Sequence, residues 1–219
     1  MITNVIFQRV LCVLIGYILG NFATGYFIGK MKGIDIRKEG SGGTGATNSL
    51  RTLGTGYGFL VLFIDCMKCI LAALIAMWIF KDITPDYKLL MLYGSAGCII
   101  GHDFPFILNF KGGKGVACAL GMVIINCTIC VPICAVIFIV IVAITKYVSL
   151  GSIVAQLALA VTFIIFNHLD MIKYTASTKI EADILVCLLI ALSIFLHRSN
   201  IKRLMNHNEN KLSFKKKDK

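Results

Sequence analysis

Glycines interleaved with cationic and hydroxyl side chains mark three segments of this chain as places able to hold an anion. The first, within residues 33–55, reads Gly40-Ser41-Gly42-Gly43-Thr44-Gly45-Ala46-Thr47-Asn48-Ser49-Leu50-Arg51. Glycine lets successive backbone N–H groups converge on an anion. Ser41, Thr44, Thr47 and Asn48 add neutral hydrogen-bonding groups, and Arg51 adds a planar fork matched to phosphate oxygens. Gly40, Gly42 and Gly45 also have the spacing of the dinucleotide fingerprint. That fingerprint has meaning only between a strand and a helix, and here an apolar run precedes it. The second segment, 101–115, carries Gly101-His102-Asp103-Phe104-Pro105 and then Phe110-Lys111-Gly112-Gly113-Lys114-Gly115. Its Lys-Gly-Gly-Lys-Gly is a compact cationic nest where the next helix is expected to begin, and a helix N-terminus also favours negative charge. The rest of the P-loop pattern is missing, so ATP hydrolysis is not indicated. The third segment, 197–209, opens with His197-Arg198-Ser199-Asn200-Ile201-Lys202-Arg203-Leu204 and ends at Glu209; His197, Asn200, Ile201 and Leu204 share one helix face. Plainer readings exist for each segment: a flexible connector, positive-inside anchoring, and a basic amphipathic end lying on anionic lipid. Together, two cationic glycine nests and a polar helix end point to a substrate that carries phosphate.

Such segments need elements that hold them on one face. Of the 219 residues, 58% are hydrophobic and 15% charged, and the mean hydropathy is +0.84. A soluble domain is about 45–50% apolar and about 25% charged. The composition therefore predicts an all-α integral membrane protein and excludes an ordinary cytosolic, disordered or fibrous chain; nucleic acid is not an expected partner. A membrane helix takes about 20 mostly apolar residues, and candidate spans are 5–29, 57–80, 88–108, 147–168 and 182–197. Residues 115–145 are too long for one span. Pro132, near the middle of that run, removes a helix hydrogen bond, so a tight turn within Cys127–Pro132 is expected to divide it.

Hydropathy alone leaves six or seven spans open, and the surplus of positive charge, 22 Lys and Arg against 11 Asp and Glu, decides. Lys30, Lys32, Arg37, Lys38 and Arg51 follow the first span; Arg198, Lys202, Arg203, Lys211, Lys215, Lys216, Lys217 and Lys219 follow the last. Cytoplasmic loops are enriched in Lys and Arg. Placing both groups inside requires seven transmembrane helices, with the N-terminus outside and the C-terminus cytoplasmic. Lys111, Lys114 and Lys146 then fall inside as well, against Arg9, Lys81, Lys88, Lys173 and Lys179 outside. The chain reads as a single polytopic membrane domain over 1–219, ending in a basic, solvated tail over 210–219. No small-residue cleavage site follows the first apolar run, so that run is expected to be a retained helix. Asp65 and Lys68, spaced i, i+3 within a span, read as a structural ion pair or as part of an ion pathway.

Nine cysteines lie inside apolar runs, where Cys behaves as a small buried hydrophobe. Cys66-x-x-Cys69 and Cys127-x-x-Cys130 have zinc-ligand spacing but lack a polar loop around them, so neither a metal site nor a disulfide framework is expected.

Taken together, the three segments resemble the PlsY family of bacterial acyl-phosphate:glycerol-3-phosphate acyltransferases, and the resemblance covers nearly the whole chain. The family's first motif, Gly-Ser-Gly-Asn-x-Gly-Ala-Thr-Asn-x-x-Arg, is similar to Gly40–Arg51; its second, Gly-His-x-x-Pro followed by Phe-Lys-Gly-Gly-Lys-Gly, to Gly101–Gly115; its third, His-Arg-x-Asn-Ile-x-Arg-Leu with a later Glu, to His197–Leu204 and Glu209. The chain departs from the pattern at Gly43, Thr44 and His207, which stand where Asn, Pro or Ile, and Gly are usual, and at Phe22-Ala23-Thr24 in the first span.

The resemblance implies seven spans with the motifs facing the cytoplasm of a bacterial inner membrane. It implies transfer of a fatty acyl group from acyl phosphate to the 1-hydroxyl of sn-glycerol 3-phosphate, giving lysophosphatidate and phosphate in the first step of phospholipid synthesis. Membrane lipids and an acyl-phosphate-forming phosphate acyltransferase are the partners implied, with no cofactor or metal. By matching positions, Ser41, Arg51 and a motif-two lysine are expected to hold the acyl phosphate; Lys111, Gly112, Gly113 and Lys114 to hold glycerol phosphate; and His197, Asn200 and Glu209 to complete the site. Gly40, Gly42, Gly45, Thr47, Asn48 and Arg198 are expected to contact substrate, and the acyl chain to lie in a groove between helices. His102 and His197 are read as hydrogen-bonding orienters, with a protein base or a substrate phosphate oxygen both open as the proton acceptor. No covalent acyl-enzyme is expected, since the cysteines lie away from the motifs. The competing readings are an acyltransferase using acyl-CoA or acyl carrier protein directly, whose His-x-x-x-x-Asp motif is missing here, and an organic-phosphate transporter, which would need polar residues on several spans.

Overall fold

The computed structural model describes residues 4–212, so the basic positions Lys215, Lys216, Lys217 and Lys219 lie outside the described residues. Those residues form ten α-helices: α1 (Val5–Gly20), α2 (Thr24–Met31), α3 (Ala46–Leu53), α4 (Thr55–Phe80), α5 (Tyr87–Asp103), α6 (Val116–Asn126), α7 (Val131–Thr145), α8 (Val148–His168), α9 (Lys179–Leu196) and α10 (Arg198–Met205). Four stretches are long and apolar enough to cross a membrane: Val5–Met31, Thr55–Phe80, Thr128–Thr145 and Val148–His168. A fifth is reached if α9 and α10, bent by 54°, count as one. At 17 and 11 residues, α5 and α6 fall short of that length.

Three boundaries differ from the sequence pattern for identifiable reasons. The first apolar run is broken at Asn21–Ala23, because the Lys68 ammonium takes the carbonyls of Gly20 (3.2 Å) and Phe22 (2.8 Å) and Asn21 holds Tyr17 O and Phe106 N. The run 88–108 is helical only to Asp103, since Pro105 disfavours helical geometry at Phe104. The run 115–145 is divided as expected, at Cys127–Cys130, and Pro132 falls in the first turn of α7, where its missing N–H costs nothing.

The central helix α5 is buried along most of its length and packs on α1, α4, α6 and α9. Gly97 and Gly101 lie directly against the Val13 and Tyr17 backbones of α1, a close approach that small residues permit between membrane helices. At the other extreme, α7 packs on α8 and has no buried residue, leaving Val136, Ile139, Val140 and Ile144 exposed.

Polar ties gather at two opposite ends of the bundle. At one end Arg9 of α1 forks onto Glu181 of α9, Tyr93 of α5 donates to the same carboxylate (2.7 Å), and Thr175 donates to Asp86 (2.6 Å). At the other, Ser193 Oγ donates to Lys114 O (3.0 Å), Leu212 N to Lys146 O (2.7 Å) and Arg51 Nη2 to Asn210 O (3.1 Å). All three glycine-rich or basic segments sit at that second end.

Candidate active site

The first segment is folded around one side chain. Asn48, in the first turn of α3, accepts from Ser41 N (2.8 Å) and reaches the carbonyls of Ile36 (3.0 Å), Glu39 (3.1 Å) and Gly43 (2.8 Å) with its amide nitrogen. Gly40 turns the loop at φ 60°, and a Cβ there would strike the Asn48 carbonyl oxygen. Asn48 therefore braces the loop and presents Ser41 and Thr47. Arg51, one turn further along α3, keeps its buried Nε without a hydrogen-bond partner among the described residues. Burial pushes the Arg51 pKa below its usual value while the Glu209 carboxylate pulls it back.

The second segment doubles back onto the end of α5. Gly112 N donates to Asp103 O and Gly113 N to His102 O, both at 3.1 Å. This turn aims Lys114 inward, where Nζ donates to Asn200 Oδ1 of α10. Burial, with repulsion from Arg203 and Arg51 only partly offset by Glu209, lowers the Lys114 ammonium to about 8. Lys111, by contrast, is exposed at the outer edge of the turn.

The third segment supplies the brace for Lys114. Asn200 donates on to both Glu209 oxygens (3.2 and 3.3 Å), and Arg203 Nε donates to Glu209 Oε2 (2.9 Å). His197 caps α9 with Nδ1 2.8 Å from Ser193 O. A carbonyl only accepts, so the ring proton sits on Nδ1 and Nε2 is left as an acceptor. His207 has φ 57°, so the position where the family pattern has glycine is a left-handed turn, a conformation histidine tolerates better than most residues.

A cavity of about 300 Å³ joins these groups. Ser41, Gly45, Thr47, Asn48 and Arg51 line it from the first segment; His102, Gly113 and Lys114 from the second; His197, Asn200 and Glu209 from the third. Its other wall is Phe59 and Leu62 of α4, Phe138 and Val142 of α7, and Ser149 and Ser152 of α8. A cationic, hydrogen-bonding end thus runs into an apolar flank. Gly40, Gly42, Lys111, Gly112 and Arg198 do not line the cavity; Gly40 and Gly112 shape the turns, and the Arg198 guanidinium lies over the Phe195 ring. Sequence reasoning missed Ser149, Ser152 and Ser193. The signal was present, since Ser149, Ser152 and Gln156 repeat at helical spacing and are buried on an apolar span.

The family model described as glycerol-3-phosphate acyltransferase matches residues 10–207. The chain belongs to the glycerol-3-phosphate acyltransferase family. It is 39% identical over 214 residues to the glycerol-3-phosphate acyltransferase of Clostridioides difficile (strain 630), covering 96% of this chain and 98% of that protein. It is 40% identical over 207 residues to that of Shouchella clausii (strain KSM-K16), covering 93% and 95%. The crystal structure of PlsY, an integral membrane glycerol 3-phosphate acyltransferase, in its glycerol 3-phosphate form superposes with a TM-score of 0.80 at 33% identity, over 94% of this chain and 96% of that one. The lysophosphatidic acid form of PlsY gives 0.78 at 32%, with the same coverage. The resemblance drawn from the three motifs is therefore correct. The chain is a multi-pass membrane member of the glycerol-3-phosphate acyltransferase family.

Proposed function

We propose that this chain moves a fatty acyl group from acyl phosphate to the 1-hydroxyl of sn-glycerol 3-phosphate, releasing lysophosphatidate and inorganic phosphate. The observation that carries this reading is the single cavity in which Ser41, Arg51 and Lys114 face one another at the edge of an apolar wall. Two phosphates have donors at the polar end, and an acyl chain has the flank between α4, α7 and α8. The glycerol 3-phosphate and lysophosphatidic acid forms of the PlsY neighbour support the same acceptor and product.

The chemistry asks little of the protein beyond binding and charge. Acyl phosphate is an activated mixed anhydride. The 1-hydroxyl oxygen attacks the acyl carbon, the bond from that carbon to the bridging oxygen breaks, and phosphate leaves with the electron pair. Lys114 and Arg51 stabilise the charge gathering on the leaving phosphate, and approach of the two substrates in one pocket supplies the rest. His197 lines the cavity and keeps its proton on Nδ1 against Ser193 O, so its Nε2 lone pair is an orienting acceptor for the hydroxyl. A phosphate oxygen receives the hydroxyl proton. Glu209 and Asn200 act by holding Lys114.

With the short α5 and α6 each counted as a crossing, the placement of lysines and arginines favours seven crossings, with the N-terminus outside and the cavity facing the cytoplasm of a bacterial inner membrane. On that face the chain would receive acyl phosphate from the phosphate acyltransferase that makes it.

Purified protein in detergent, given palmitoyl phosphate and glycerol 3-phosphate, is expected to release phosphate and lysophosphatidate together. Turnover with palmitoyl-CoA and none with palmitoyl phosphate would overturn the donor. The pH profile adds a second check. Lys114 holds its charge below about 8 and loses it above, so kcat/KM, which reports groups of the free enzyme, is expected to fall as pH rises through that value. The activity remaining in Lys114→Arg should lack that alkaline limb, because guanidinium stays charged.

A further inference from the structure

Beside the cavity, toward the break between α1 and α2, lies a second polar cluster that reaches the site through His102. Asp65 and Lys68 of α4, Thr24 of α2 and His102 of α5 are all buried, none more than 7% exposed. Lys68 Nζ lies 2.8 Å from Asp65 Oδ1, 2.8 Å from Phe22 O, 3.2 Å from Gly20 O and 2.9 Å from His102 Nδ1. Asp65 Oδ1 also accepts from Thr24 Oγ1 at 2.8 Å. An ammonium has three donors and no acceptor. The carboxylate and two carbonyls around Lys68 favour its charged form, so His102 Nδ1 meets a donor and must offer its lone pair.

The ring proton of His102 is then on Nε2. That edge of the ring faces the second glycine nest: a Cβ on Gly113 would overlap Nε2, and His102 lines the cavity. The Cys118 thiol, a further polar neighbour of the ring, is both a weak donor and a weak acceptor and competes little for that edge. Without Lys68 the order would reverse, because Asp65 Oδ1 stands 3.7 Å from Nδ1 and would draw the proton to that side.

We propose that Lys68 is a positioning residue that fixes His102 as its Nε2–H tautomer, aimed at the Gly113–Lys114 turn, so that His102 donates a hydrogen bond toward bound phosphate and cannot serve as the base. This rests on the reading of the cavity as a phosphate site. It gives the two histidines opposite tasks: His102 presents a proton at Nε2, and His197 presents a lone pair at Nε2.

The tautomer is measured on the full chain in detergent, labelled with nitrogen-15 at histidine. Two-bond correlation spectra near neutral pH separate protonated from bare ring nitrogens, and the set lost in His102→Gln belongs to His102. The expected result is a bare Nδ1 and a protonated Nε2. A proton on Nδ1, alone or together with Nε2, overturns the proposal. In the double variant Asp65→Asn/Lys68→Met, which leaves no buried charge unpaired, the ring is expected to lose its single tautomer and kcat/KM to fall about 10²-fold. An unchanged tautomer there removes Lys68 from the role, and if the variant does not fold, the unmodified protein still decides. Because the spectra need no substrate, the two readings fail separately. Nε2–H in a protein that transfers acyl groups from no donor sinks the function alone. Nδ1–H in a protein active with acyl phosphate sinks the role of Lys68 alone.

Discussion

Lys114→Met is expected to lower kcat/KM for acyl transfer by about 10³-fold while leaving the fold intact. Loss of one donor aimed at developing charge in a closed site costs about 10²–10³-fold, and Lys114 contributes a full charge as well. Its ammonium is already partly stripped of water, which makes it a strong partner for phosphate and raises the cost of losing it. The fold does not depend on that charge: the turn is tied through the backbone of Gly112, Gly113 and Lys114, and Ser193 bonds the Lys114 carbonyl. Steady-state kinetics and a melting curve of the same sample separate the two effects. Lys111→Met supplies the contrast, since that side chain lies at the exposed edge of the nest; its effect is expected to be smaller by at least about tenfold.

Gly113→Ala is expected to reduce kcat/KM by about 10²-fold or more and to destabilise the protein by about 1–3 kcal/mol. A Cβ there overlaps His102 Nε2 and comes within 2.8 Å of Cδ2 and 2.9 Å of Cε1. The ring cannot retreat, because Lys68 holds its other edge. The turn must move instead, which breaks the Gly113 N to His102 O bond and carries Lys114 away from Asn200. Gly56→Ala, at a position with open space around its Cβ, should leave activity within about twofold and stability unchanged or slightly raised. Equal losses in both variants would contradict the close fit between the nest and His102.

Much of this site could be read from residue order. Ser41, Arg51, Lys114, His197 and Asn200 were picked out by type and spacing, and they line one cavity. The division of 115–145 was also legible, because proline in an apolar run has few places to go. What the sequence left hidden depended on long-range contacts. Nothing near residue 21 signals that a lysine 47 positions later takes the carbonyls that end α1. Asn48 and Glu209 look like ligands for substrate, and the structure uses them as braces, one for a glycine loop and one for Asn200 and Arg203. Lys111 and Lys114 are equivalent in a motif, yet a turn of two glycines sends one outward and the other in. The serines of α8 and α9 were concealed by the hydrophobicity around them.

In the proposed reaction the glycerol 1-hydroxyl oxygen attacks the acyl carbon of an acyl phosphate bound in this cavity. Glycerol 3-phosphate carrying oxygen-18 in its 1-hydroxyl, turned over with palmitoyl phosphate and analysed by mass spectrometry, tests it directly. All the label is expected to stay in the ester of lysophosphatidate, and the released phosphate to be unlabelled. Label in a doubly phosphorylated glycerol, with free palmitate beside it, would mean attack at phosphorus and would overturn acyl transfer by this route.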